Sequence, residues 1–70
     1  MKVHVTWEAE NPFKPSSGPR TALANLPDKM SYDQIEKYAK KASPKGYYLK
    51  KVSTPEKEYI YDREGNKKEQ

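Results

Sequence analysis

The chain has 70 residues, of which 33% are hydrophobic and 34% charged, and its formal net charge is +4 at pH 7. Globular domains average about 45–50% apolar and about 25% charged residues, so we expect one domain with a small core. Cysteine is absent, which excludes disulfides, thiolate metal sites and a cysteine nucleophile.

The start of the chain and its hydropathy predict a cytoplasmic protein. Met1 and Lys2 run directly into the segment VHVTW, without the apolar region of a signal peptide. No stretch approaches the roughly 20 apolar residues that a membrane-spanning helix needs. We therefore expect no membrane association.

A strand is predicted at residues 2–8. Their sequence, KVHVTWE, alternates β-branched or aromatic residues with polar ones. Val3, Val5 and Trp7 therefore share one face, which is the pattern of a half-buried strand.

Two less regular segments follow. Residues 9–21 combine closely spaced prolines with a glycine and predict a long loop, since these residues interrupt both helices and strand ladders. Residues 22–30 fit either a short helical turn or a strand, and their larger apolar side chains are expected to join the core.

The best helix pattern is at residues 31–42, SYDQIEKYAKKA. Ser31 is a good N-cap, and Gln34 three residues later completes a capping box. Apolar side chains recur at three- and four-residue steps through Ile35 and Ala39, which makes one apolar stripe. At about twelve residues such a helix is marginal alone, so we expect it to pack on a sheet.

A β-hairpin is predicted at residues 46–53 and 57–62, followed by a turn and a charged, frayed tail at 65–70. Simple alternation puts Tyr47, Leu49 and Lys51 on one face of its first strand, and Tyr48, Lys50 and Val52 on the other.

Together these elements predict an α+β fold, a single domain over residues 1–64. It consists of an N-terminal strand, a long loop at 9–21, one helix and a C-terminal hairpin, with the helix on one face of a three-stranded sheet. The predicted core is Val3, Val5, Trp7, Leu26, Met30, Ile35, Ala39, Leu49, Val52 and Ile60.

The sequence shows no catalytic or metal-binding pattern. His4 is the only histidine and falls on the polar side of the first strand. The segment DREGN, residues 62–66, lacks the spacing of a calcium loop and predicts a turn. The scattered glycines form no phosphate-binding loop. We therefore expect no enzyme activity, no metal or cofactor, and no small-molecule substrate.

The most informative segment for function is YAKKASPKGYYLKK, residues 38–51, which contains lysines and tyrosines but no acidic residue. The helix end and the hairpin are expected to converge there, so that lysines bind phosphates and tyrosines stack on unpaired bases. The predicted nucleic-acid-binding residues are Lys40, Lys41, Lys45, Tyr47, Tyr48, Lys50 and Lys51.

Two alternatives remain open. The lysines are also explained by the helix dipole, by protection of a strand edge and by cross-strand pairs with glutamates. The other alternative is a protein–protein interaction module, or an inhibitor of the bacterial or phage type, that uses a sheet edge and exposed Tyr48, Tyr59 and Tyr61. Under either function we expect a monomer or weak dimer.

Overall fold

A computed structural model of the chain describes residues 1–11, 13 and 18–69. These residues form one helix and five strands, in the order β1 (Lys2–Ala9), β2 (Arg20–Asn25), α1 (Tyr32–Lys41), β3 (Tyr47–Ser53), β4 (Glu58–Tyr61) and β5 (Lys67–Glu69). The α+β class is therefore confirmed, while the centre of the predicted 9–21 loop lies outside the described residues. No helix among the described residues is long and apolar enough to cross a membrane.

The sheet has the order β2-β1-β3-β4-β5, and all neighbouring strands are antiparallel. The prediction of three strands is wrong, because β2 and β5 extend the sheet at its two edges. β2 begins in the last two residues of the predicted 9–21 loop, where the loop prediction is wrong, and continues into the segment whose conformation the sequence left open. β5 lies in the predicted charged tail. Both are edge strands with few buried side chains, so their hydrophobic patterns are weak.

The core lies between α1 and one face of the sheet. Its buried members are Val3, Val5, Trp7, Ile35, Ala39, Leu49, Val52 and Tyr61, and Leu26 and Met30 pack against them partly buried. Seven predicted core residues are thus confirmed as buried.

The prediction that Ile60 belongs to the core is wrong. Ile60 pairs with Lys51 on the sheet face that α1 does not cover, the open face, and Tyr61 is buried instead with only 1% of its surface exposed. The reason is register, because alternation along β4 sends neighbouring residues to opposite faces.

A bulge in β3 corrects the predicted alternation of that strand. Val52 pairs with Val5 and Leu49 with Trp7, and the register shifts between these pairs. Leu49 and Val52 are both buried although they are three residues apart, which requires one extra residue in β3. Lys50 is that residue.

The helix begins as predicted. The Ser31 hydroxyl accepts a hydrogen bond from the Gln34 backbone N–H at 3.3 Å, and the Ser31 N–H donates to Gln34 Oε1 at 3.2 Å. At the other end, Trp7 Nε1–H donates to the Ala39 carbonyl oxygen at 3.0 Å, which joins β1 to the last turn of α1.

Candidate functional site

The antiparallel order places the connections of the chain at two opposite ends of the sheet. One end of the sheet contains the end of β1, the end of α1, the start of β3 and the turn between β4 and β5. The Glu10 N–H donates to the Gly46 carbonyl at 2.9 Å, and the Arg63 guanidinium donates to the Glu10 carbonyl. These contacts hold three separate connections together.

We call this end of the sheet the basic end. Among the described residues, its cations are Arg20, Lys40, Lys41, Lys45 and Arg63, and its carboxylates are Glu8, Glu10, Asp62 and Glu64. The opposite end, where β1 and α1 begin and β3 turns into β4, carries Asp28, Asp33, Glu56 and Glu58 together with Lys2, Lys29, Lys57 and the Met1 ammonium, and we call it the far end. The charges of the far end cancel, so the excess of cations lies at the basic end.

Some carboxylates at the basic end accept hydrogen bonds from uncharged donors. Asp62 Oδ1 accepts backbone N–H groups from Glu64 at 3.0 Å and Asn66 at 2.8 Å. The Asn66 backbone hydrogen bond is the main reason that the pKa of Asp62 lies below its usual value. Asp62 therefore closes the turn between β4 and β5, and it has no direct contact with a lysine of α1 or β3.

Two of the predicted site lysines have acidic partners. Lys40 Nζ lies 3.4 Å from Glu36 one turn earlier in α1, and Lys51 Nζ lies 2.5 Å from Glu58 across the open face. Lys51 is paired with Thr6 near the middle of the sheet, away from the helix end. The expectation that all the lysines form one cluster is therefore wrong for Lys51.

The remaining predicted lysines form no ion pair among the described residues. Lys41 is exposed in the last turn of α1, Lys45 is exposed in the connection to β3, and Lys50 is the half-buried bulge residue in the middle of β3. In the part of the chain that the structure describes, none of the three has a carboxylate within ion-pair distance. We call them the unpaired lysines.

Tyr48 lies on the open face at the basic end. It pairs with Glu8, and its hydroxyl donates to Glu8 Oε2 at 2.9 Å. Partial burial and then this hydrogen bond raise the pKa of Tyr48, so its hydroxyl stays a donor. The guanidinium carbon of Arg63 lies 5.6 Å from the centre of the Tyr48 ring, within cation–π range.

Tyr47 points to the helix side of the same strand. Its hydroxyl donates to the Gly18 carbonyl at 3.0 Å, and the guanidinium carbon of Arg20 lies 5.9 Å from its ring centre. The two predicted tyrosines therefore lie on opposite faces of the sheet, each beside an arginine. The predicted site did not contain these arginines, because their positions follow from the register of β2 and the turn after β4.

The other predicted tyrosines belong to a packed cluster between α1 and β4. Tyr59 and Tyr32 have ring centres 3.9 Å apart, and the Tyr61 and Tyr32 hydroxyls share a hydrogen bond. Lys67 Nζ lies 4.5 Å from the centre of the Tyr32 ring. The expected exposure of Tyr61 is wrong, since the ring fills the core. Burial raises the pKa of Tyr32 to about 12 and also raises the pKa of Tyr61.

A cleft of about 380 Å³ lies at the far end. Its lining includes the apolar groups of Met30, Ile35 and Tyr59 together with Asp28, Glu56 and Met1, whose ammonium lies 2.6 Å from Asp28 Oδ1. The cleft lies at the end of the sheet opposite the basic end, so it is not part of the basic surface. Within the described residues, no group of histidine and carboxylate side chains is placed to hold a metal ion.

Comparison with known proteins assigns no family: no family model, curated protein or solved structure matches the chain.

Proposed function

We propose that this chain is a small non-enzymatic binding protein that holds single-stranded nucleic acid at its basic end. The observation that carries the proposal is that the unpaired lysines and Arg63 have no carboxylate within ion-pair distance among the described residues, and that Arg63 lies beside the Tyr48 ring. Ammonium groups that are not neutralised by the protein are available to bind phosphates and to release their counterions.

The aromatic side chain distinguishes the proposal from simple charge attraction. Tyr48 lies on the open face, which no helix covers, and Arg63 already lies beside its ring. An unpaired base can stack on such a tyrosine–arginine surface, with about 1–3 kcal/mol from each stacked base. A duplex hides its base faces, so this arrangement favours a single strand.

Removing lysine charges tests the phosphate contacts. The variant Lys41→Gln, Lys45→Gln, Lys50→Gln is compared with the control Lys2→Gln, Lys29→Gln, Lys37→Gln, which removes the same charge from exposed positions elsewhere. Binding of fluorescent single-stranded DNA and RNA is measured by anisotropy over a range of salt concentrations. We expect the slope of log K against log salt to fall by about 0.7 for each lost phosphate contact in the first variant only.

Two results would contradict the proposal. One is an equal loss of affinity in the two lysine variants, which would mean that only net charge matters. The other is the absence of salt-dependent binding to either nucleic acid in the parent protein. In that case the protein-interaction hypothesis becomes the better one, and a stoichiometric partner that survives nuclease treatment of a lysate would support it.

A second pair of variants tests the stacking. Tyr48→Phe keeps the aromatic face and loses only the hydrogen bond to Glu8, whereas Tyr48→Ala removes the face. We expect the alanine variant to lose about 5- to 150-fold in affinity, which corresponds to one stacked base. The phenylalanine variant should bind like the parent. Equal losses in both would exclude stacking as the role of Tyr48.

A further inference from the structure

β2 is an outermost strand, and no other strand of the described part of the chain pairs with its free edge. Its first residue, Arg20, is charged, but four of the five residues from Thr21 to Asn25 are exposed and none of these five is charged or a proline. Leu23, at the centre, exposes 57% of its surface. Edge strands are normally protected by charges, prolines or bulges, because their unpaired backbone groups can add another strand.

The orientation of the β2 backbone follows from one hydrogen bond and an unbroken register. The Leu26 N–H donates to the Met1 carbonyl at 2.8 Å, so residue 26 directs its backbone groups toward β1. β1 and β2 then pair without a shift from Lys2 to Trp7. Since this direction alternates along an antiparallel strand, the N–H and C=O groups of Thr21, Leu23 and Asn25 point away from the sheet.

These outward groups are symmetric about Leu23, and we infer that β2 pairs with β2 of a second copy of this chain. The strands run antiparallel, with Leu23 opposite Leu23 of the copy and Thr21 opposite Asn25 of the copy. Each of these opposed pairs exchanges two N–H···O=C hydrogen bonds, so every outward group of the three residues has a partner. One strand therefore supplies both halves of a closed twofold interface.

The side chains are compatible with this pairing on both faces. On the open face the two Leu23 side chains contact each other, which covers an exposed apolar group. Thr21 and Asn25 lie beside each other and contribute no like charges. On the helix side Ala22 lies beside Ala24 of the copy, and these small side chains permit close approach.

The pairing also keeps the cations of the two copies apart. A twofold axis perpendicular to the sheet brings the basic end of one copy next to the far end of the other, so the two basic ends do not face each other. In this register Arg20 lies opposite Leu26 of the copy, two residues before its Asp28. The result is one continuous sheet of twice the width, with both helices on the same side. This inference does not depend on nucleic-acid binding.

The first experiment measures the mass of the particle by sedimentation equilibrium over a wide range of protein concentrations. We expect a reversible change from one chain to two. Leu23→Lys places two ammonium groups opposite each other at the twofold axis and should abolish the dimer. Its control is Tyr38→Lys, which replaces another exposed hydrophobic residue, on α1, and should dimerise like the parent.

The second experiment tests the register with single thiols, which is straightforward because the chain contains no cysteine. Leu23→Cys should cross-link with itself under mild oxidation, since opposed Cα atoms are about 5.5 Å apart, within the range of a disulfide. Thr21→Cys should not cross-link with itself, because residue 21 lies opposite residue 25 of the copy. The two copies of residue 21 are therefore four residues apart along the paired strands, which is roughly 14 Å. A mixture of Thr21→Cys and Asn25→Cys chains should cross-link.

Three results would overturn the inference. They are a single chain at every concentration, a dimer that Leu23→Lys leaves intact, and self-cross-linking of Thr21→Cys in preference to Leu23→Cys. The folded state of each variant is checked by circular dichroism, so that loss of the dimer is measured on folded chains.

Discussion

Trp7 offers the sharpest test of how this small fold is held together. Its indole N–H donates to the Ala39 carbonyl, and only 5% of the residue is exposed. The Ser43 N–H would reach Ala39 in a continued helix, but it donates to Lys40 at 3.3 Å. The indole therefore supplies the hydrogen bond that the end of α1 leaves unmade.

The loss of stability expected when Trp7 is replaced follows from this hydrogen bond to Ala39. Removing the donor leaves a buried carbonyl without a partner, which costs about 1–3 kcal/mol. Trp7→Phe also leaves a small void, for about 1 kcal/mol more, so we expect a total loss of about 2–4 kcal/mol. A domain of this size has only about 3–5 kcal/mol of stability, so this variant is at the limit of folding and Trp7→Ala should be unfolded.

The hydrogen bond is separated from the volume by replacing Trp7, the only tryptophan, with its sulfur isostere benzothienylalanine. This residue has nearly the same shape and no N–H. Urea unfolding is followed by far-ultraviolet circular dichroism, because tryptophan fluorescence is lost in these variants. We expect the isostere to lose about 1–3 kcal/mol and the control Tyr38→Phe to stay within about 0.5 kcal/mol of the parent. An isostere as stable as the parent would refute the role of the indole N–H.

Two further predictions concern α1 and its tyrosine contacts. Ser31→Ala removes the N-cap acceptor of Gln34 and should lower the free energy of unfolding by about 1 kcal/mol, measured by urea denaturation; an unchanged midpoint would contradict it. The pKa of Tyr32 is raised from 10.0 to about 12 and that of Tyr61 is raised as well. The unfolded chain therefore loses these protons first, so the stability that these two tyrosines contribute should be constant below about pH 10 and fall from there toward pH 12. Tyr61→Phe removes one of these hydroxyls and should show a smaller fall over the same range, whereas an identical pH profile would argue against the linkage.

The sequence was sufficient for features that depend on residues close together in the chain. The Ser31 and Gln34 capping box requires only one helical turn, and both of its hydrogen bonds are present. Likewise, the alternation of Val3, Val5 and Trp7 predicted a strand with one buried face, and all three are buried. Local backbone geometry alone sets these periods.

The candidate site was only partly predictable, because its electrostatics depend on contacts between elements. Lys51 is paired with Glu58 from the neighbouring strand, and this pair depends on the register of β3 and β4. Arg63 reaches Tyr48 only because the β4–β5 turn returns to the end where β3 begins. The accumulation of lysines in residues 38–51 was visible in the sequence, but which of them stay unpaired was not.

By itself, then, the sequence determined the helix with its cap, the first strand, the α+β class and the absence of cysteine chemistry. Only the tertiary structure decided that Tyr61 rather than Ile60 is buried, that Lys50 forms a bulge, and that β2 presents a free edge. The physical reason is that a side chain's face in a sheet depends on which strand lies opposite and in which register. A shift of one residue reverses that face without any change in local preference.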